Sequence, residues 1–201
     1  MKKVCIIDYG SGNVASVFNV IKFLGYDCKV TNNLNFIRNS SHIILPGVGS
    51  YSAAMKKIKE KVSINDLENE VLIKKKPFLG ICVGMQVLST FGFEFGKFDG
   101  LDWIKGHVKK INHIKLPHIG WNEIKILKES KITKNLENNQ EFYFVNSFYL
   151  EPLDKNSIVA STSYGDKFCS IVEKENIFGV QFHPEKSQKA GQILIKNFIN
   201  I

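Results

Sequence analysis

Arginine is almost missing from this chain. Of 27 basic residues, Arg38 alone carries a guanidinium; the rest are lysines scattered along 201 residues. Base edges and phosphates are gripped best by the guanidinium fork. The formal charge of +8 therefore reads as a solvated lysine surface with a share left for a protein partner, and no nucleic-acid partner is expected. Long apolar runs are missing too. None reaches the roughly 18 residues that cross a bilayer. The apolar stretch Val4–Ile7 behind Lys2 and Lys3 stops at Asp8, too soon for a signal-peptide core. A soluble, cytoplasmic protein without membrane contact is the expectation. Cysteine is sparse: Cys5, Cys28, Cys82 and Cys169 form no C-x-x-C pair, and no histidine spacing resembles a zinc site. Neither a metal nor an organic cofactor is expected. Three of the cysteines lie in apolar or strand-like segments, as small core residues do; Cys82 stands apart. Internal repeats and low-complexity linkers are also lacking. With 44% hydrophobic and 23% charged residues the composition is that of an ordinary globular protein. A chain of this length can bury a sufficient core without staples, as a single domain over 1–201.

What is present is an alternation of strands and helices. Val4–Ile7 is a continuous apolar run, as in a strand buried on both faces, and enters the turn cluster Asp8-Tyr9-Gly10-Ser11-Gly12-Asn13. Val14, Val17, Phe18, Ile21 and Leu24 then fall at helical spacing, with Gly25 where a C-cap is expected. Cys28–Thr31 and His42–Leu45 read as further strands, the latter stopped by Pro46-Gly47-Val48-Gly49. Helical segments are predicted over Ser52–Lys61 and Ile64–Lys75, then a fourth apolar strand, Phe78–Ile81, entering a turn at Cys82 with a helix over Met85–Phe91. Strand alternating with helix predicts a central, mostly parallel sheet flanked by helices. The second half has short strand-like stretches near 104–111, 122–127, 142–145, 158–163, 168–173 and 177–182, whose spacing fits a largely antiparallel extension of that sheet. A helix over Ser187–Ile199 closes the chain.

Three segments carry chemistry. Gly80-Ile81-Cys82-Val83-Gly84 has the G-x-C-x-G shape of a nucleophile elbow, a sharp strand-to-helix turn whose glycines relieve Cβ clashes. A helix N-terminus there would stabilise a thiolate. Read alone, the same residues also fit a buried cysteine in a tight turn. His183-Pro184-Glu185 follows the strand ending at Phe182 and offers a base with an orienting carboxylate; alone it also fits a surface turn. Pro46-Gly47-Val48-Gly49, at a third strand end, can present backbone donors to an oxyanion or be an ordinary turn. All three lie at predicted strand ends, where open α/β sheets place their sites.

Together with Pro117-His118-Ile119-Gly120-Trp121-Asn122 and the opening Asp8–Asn13 turn, these segments resemble the class I, triad-type glutamine amidotransferases, and among them the glutaminase subunits of imidazole glycerol phosphate synthase. The resemblance implies a flavodoxin-like α/β domain that hydrolyses L-glutamine. In it Cys82 is the nucleophile, His183 the base and Glu185 its orienting partner. Gly47 and Val48 with the N–H of Val83 form the oxyanion hole, and Gln86 and Glu94 hold the substrate, Glu94 through the α-ammonium group. It also implies a heterodimer with a (β/α)8-barrel cyclase subunit that receives the ammonia, docked on Gly12, Asn13, Trp121, Asn122 and Lys186. One stretch departs from the family's usual Tyr-Phe-Val-His-Ser-Tyr: here Tyr143-Phe144-Val145 is followed by Asn146-Ser147-Phe148. That departure keeps open a paralogous glutaminase feeding a different synthetase, such as one for amidino-type surface sugars.

Overall fold

Four runs of apolar residues build the middle of the sheet: β1 (Lys3–Ile7), β3 (His42–Gly47), β4 (Phe78–Cys82) and β14 (Ile177–Val180). Apart from Lys3, every residue of these strands is buried, as expected of strands covered on both faces. The computed structural model describes residues 2–201. With β2 (Asp27–Thr31) these strands run parallel in the order β2-β1-β3-β4-β14. This is the strand order of flavodoxin-like sheets. The sheet continues antiparallel through β13 (Asp166–Lys174), β12 (Ile158–Tyr164) and the two-residue β9 (Lys125–Ile126), a short edge of the kind that discourages edge-to-edge pairing.

Helices α1 (Val14–Phe23), α2 (Leu34–Asn39), α3 (Tyr51–Lys61) and α4 (Ile64–Glu68) fill the crossovers of the parallel half, and α6 (Gln188–Ile199) returns to pack beside α1. Gly25 takes φ +83° after α1, as its C-cap position requires. The helix predicted over Ile64–Lys75 is α4 followed by a wider π turn, Asn69–Ile73.

The second half differs from expectation. Beside the extended main sheet stand two smaller ones: β8 (His118–Glu123) pairs with β10 (Glu141–Asn146), and β11 (Phe148–Pro152), β7 (Gly106–Lys110), β5 (Phe91–Gly92) and β6 (Phe98–Asp99) form a four-stranded sheet. The stretches near 104–111 and 142–145 therefore do not extend the main sheet. Phe142 and Phe144 of β10 point instead at Phe182 after β14, with ring centroids 4.0 and 5.5 Å away. This aromatic packing clamps the small sheet over the end of β14, where the candidate site lies.

Candidate active site

The chain end of β4 is strained. Cys82 sits at φ 54° and ψ −111°, a conformation an L-residue adopts only where its surroundings enforce it, at about 1–3 kcal/mol. The enforcement comes from three glycines. A Cβ on Gly80 would lie 2.4 Å from the Gly84 carbonyl oxygen, on Gly84 1.9 Å from that of Leu45, and on Gly47 2.5 Å from the Gly84 nitrogen. Backbone thus meets backbone across the ends of β3 and β4, and Gly47 stands in register with Cys82. The helix that follows, α5 (Val83–Gln86), is a single turn rather than the Met85–Phe91 helix expected. The carbonyls that would have continued it are taken from elsewhere: Leu101 N–H bonds Val87 O at 2.8 Å and Ile104 N–H bonds Leu88 O at 2.9 Å. One turn supplies free N–H groups but little of a helix dipole.

His183 follows β14 and is 4% exposed, while the Glu185 side chain is 1% exposed. Imidazole Nδ1 and Glu185 Oε1 are 2.9 Å apart. That bond assigns the proton to Nδ1 and leaves Nε2 for the thiol of Cys82. Burial opposes charge on His183, but hydrogen bonding and attraction from Cys82 and Glu185 outweigh it. The imidazole is raised from 6.5 to about 10, so the protonated form is favoured. The backbone fixes the ring's place: His183 N–H donates to Tyr143 O at 2.8 Å, and Ser187 Oγ donates to His183 O at 2.6 Å while accepting from Tyr143 N–H at 3.0 Å. Cys82 is 3% exposed, and its sulfur lies 3.8 Å from Val145 O and 3.7 Å from Gln181 Nε2.

Of the expected oxyanion residues, Gly47 and Val83 are packed against the elbow. Val48 is exposed, and its carbonyl accepts from Ser11 Oγ at 3.1 Å, which ties this loop to the turn after β1. Gln86 is buried on α5, linked to Cys82 through the Gln181 amide. Its Nε2 is already spent on Phe148 O at 2.9 Å and Gln181 Oε1 at 3.1 Å, which leaves its Oε1 as the amide atom free for a substrate donor. Glu94 accepts from Tyr51 N–H at 2.7 Å, which places its carboxylate at the start of α3, just beyond Gly49.

The expected docking residues differ in exposure. Trp121 is 44% exposed and meets Tyr143 edge-on at 6.0 Å, with Lys186 Nζ 5.9 Å from the same ring. Asn122 is half-buried and bonded to Ser163 O and His118. Gly12 is packed against Pro46, where a Cβ would stand 2.9 Å from its carbonyl oxygen. Asn13 heads α1 without capping it. Its Oδ1 accepts from Ser16 Oγ at 2.8 Å and its Nδ2 donates to Glu185 Oε1 at 3.1 Å. Asn146 is 6% exposed, pairs across the ladder with His118, and donates to Phe148 O at 3.1 Å.

Four supporting residues were not singled out from the sequence: Gln181, Ser187, Tyr143 and Ser11. Ser11 and Tyr143 lie in stretches that carry the resemblance, and Gln181 is an amide inside the apolar stretch Ile177–Phe182, but their supporting contacts are non-local. The catalytic-type elbow, the buried His–Glu pair and the tethered glycine loop converge at the C-terminal ends of β3, β4 and β14. This is the crevice where flavodoxin-like sheets hold their ligands.

The chain belongs to the class-I glutamine amidotransferase family, whose sequence profile matches residues 5–201. Within that class it falls among the HisH subunits of imidazole glycerol phosphate synthase. It is 47% identical to the one from Pelagibacter ubique, covering 98% of this chain and 99% of the relative, and 45% identical to HisH 2 of Methanococcus maripaludis, covering 98% of each. Among solved structures, a putative GMP synthase protein from Thermoplasma acidophilum superposes with TM-score 0.75 at 21% identity, covering 100% of this chain and 93% of that one. A second, described as a glutamine amidotransferase, gives TM-score 0.76 at 16% identity over 98% and 97%. These two establish the shared fold.

Proposed function

We propose that this chain is the glutaminase subunit of imidazole glycerol phosphate synthase, acting in histidine biosynthesis through Cys82, His183 and Glu185. The observation that carries the reading is the strained Cys82 elbow facing a buried His183–Glu185 pair bonded at 2.9 Å. In this reading the Cys82 thiolate attacks the side-chain carbonyl carbon of glutamine. The developing oxyanion is received by backbone N–H groups around Gly47, Val48 and Val83. His183 gives its proton to the departing amide nitrogen, ammonia leaves and a thioester remains. Water, activated by the now neutral His183, opens the thioester to release glutamate and regenerate the thiol. Glu185, held by Asn13, keeps the imidazole oriented throughout. Gln86 and Glu94 hold the substrate, Glu94 through its α-ammonium group.

The ammonia passes to a cyclase subunit, a (β/α)8 barrel making imidazole glycerol phosphate and an aminoimidazole carboxamide ribotide. Docking there uses the exposed Trp121 and Lys186 together with the half-buried Gly12, Asn13 and Asn122, each of which is also bonded or packed within the chain. Full-length similarity at 47% and 45% identity to HisH subunits supports this acceptor over the paralogous synthetase. Among the described residues no helix is long and apolar enough to cross a membrane; a cytoplasmic site of action accords with that. The test is glutamate release from glutamine, measured with the cyclase subunit plus its nucleotide ligand and again without them. Stimulation that vanishes in Cys82→Ser is expected. Full turnover in Cys82→Ser would overturn the assignment of the nucleophile.

A further inference from the structure

A line of side-chain amides ends on the nucleophile, and its direction is fixed. The Phe148 carbonyl is an acceptor only. The Gln86 group facing it at 2.9 Å must therefore be the amide nitrogen. That nitrogen also reaches the Gln181 amide at 3.1 Å, so Gln181 must present its oxygen there. Its own nitrogen is then turned toward Cys82 Sγ, at 3.7 Å. Turning either amide over would set nitrogen against nitrogen or oxygen against the carbonyl. The backbone at residue 148 thus decides, through two buried amides, that the sulfur faces a donor. Gln181 is fully buried, and its backbone N–H is anchored on Ser170 O at 2.9 Å, so it has little room to swing away.

We propose that Gln181 is a further catalytic residue of this site, whose Nε2–H holds the Cys82 sulfur in its thiolate form, with Gln86 and the Phe148 carbonyl as the positioning groups that set its polarity. The proposal rests on the reading of Cys82 as nucleophile. Its physical basis is simple. A donor aimed at sulfur stabilises the negative charge, whereas the Val145 carbonyl, 3.8 Å away on the other flank, accepts from the neutral thiol and opposes ionisation. A single-turn α5 gives little dipole, so side-chain donation carries more of the work. The titratable groups facing the sulfur are His183, backed by Glu185, and Tyr9 at the end of β1, whose phenol burial and Cys82 push upward and keep neutral. His183 supplies the positive charge and Gln181 a neutral, pH-independent donor. The two contributions separate in a pH profile.

The experiment follows alkylation of Cys82 by iodoacetamide in the full chain as a function of pH, resolved by peptide mass spectrometry. Cys5 and Cys169, whose burial pushes their thiols up to about 12, are poor competitors near neutrality. The variants are Gln181→Met, which keeps length and loses the donor, and Gln181→Leu, each checked by circular dichroism and melting. The expected result is an alkylation midpoint about one pH unit above wild type, with the alkylation rate about tenfold lower at pH values well below the wild-type midpoint. Glutaminase kcat with the cyclase subunit should fall in step while KM stays within about twofold, because Gln181 touches the sulfur and not the substrate. Should Gln181→Met melt early, the outcome is read from Gln181→Leu. A folded variant with the wild-type midpoint and kcat overturns the proposal. Retained turnover in Cys82→Ser would instead overturn the underlying site assignment, so the two failures are distinct.

Discussion

Replacing Gly84 by alanine adds one methyl group to the tightest point in the molecule. The new Cβ would stand 1.9 Å from the Leu45 carbonyl oxygen and 3.0 Å from its carbon. Both are backbone atoms of β3, which is held on either side by β1 and β4. No side chain can swing away to make room. Gly84 is not in the left-handed region, so the whole cost is contact and none of it is backbone preference. Overpacking a core by one methylene costs about 1–3 kcal/mol, occasionally more, and a backbone wall puts this site at about 3 kcal/mol or above. For a domain of this size each kcal/mol moves Tm by roughly 2–4 °C, so a fall of roughly 6–12 °C is expected. Glutaminase activity should fall with it, because Gly47 shares the same contact with Val83 and Gly84. The control is Gly25→Ala: nothing lies within 4 Å of its Cβ, but its φ is +83°, a conformational cost of about 1–2 kcal/mol. It should melt a few degrees lower at full activity. Differential scanning calorimetry and glutamate release, run on both, decide the matter. A Gly84→Ala protein melting within about 2 °C of wild type and turning over normally would refute the account of how this elbow is held.

The remaining expectations concern the groups around the triad. Asn13→Ala leaves Glu185 Oε1 with one of its two donors; a hydrogen bond to a charged group is worth about 1.5–3 kcal/mol, so kcat should drop about tenfold or more, and unchanged kcat would show Asn13 to be idle. Trp121→Ala should weaken binding of the cyclase subunit by about 2 kcal/mol or more in calorimetric titration, with the melting temperature of the free chain little changed; wild-type affinity would remove Trp121 from the interface. The His183 imidazole is raised from 6.5 to about 10, so its ion-pair contribution is whole below about pH 6.5 and fades as pH rises through 10. Wild type should therefore lose Tm between pH 7 and 10 more steeply than His183→Gln. Parallel slopes for the two would contradict that assignment.

How far the sequence discloses this molecule depends on whether the deciding contacts are local. β1, β3, β4 and β14 are legible because burial on both faces leaves, apart from Lys3 and His42 at their starts, only apolar residues, and a turn signal ends each run. The elbow is legible because G-x-C-x-G is a local steric requirement, and the clashes at Gly80 and Gly84 fall where that requirement puts them. Helix α2 has six residues, too few for a periodic pattern, though Asn33 does cap it by accepting from Phe36 N–H at 3.2 Å. The helix expected over Met85–Phe91 fails for a reason no window of that length contains. Residues 101–104 bring their N–H groups to the carbonyls of Val87, Leu88 and Ser89, and Gly100 N–H bonds Thr90 O at 2.9 Å. A non-local partner outcompetes the helix, and the chain is freed to turn back as β5 toward Glu94. The same logic hides the contact Asn13 makes with the triad. In a family motif the asparagine reads as part of a docking face. Its side chain bonds Glu185, 172 residues away, a contact that exists only once α1 and the end of β14 lie side by side. Residues whose work is to hold other residues are thus the hardest to see in advance. They carry no chemistry of their own, and their partners are chosen by the fold.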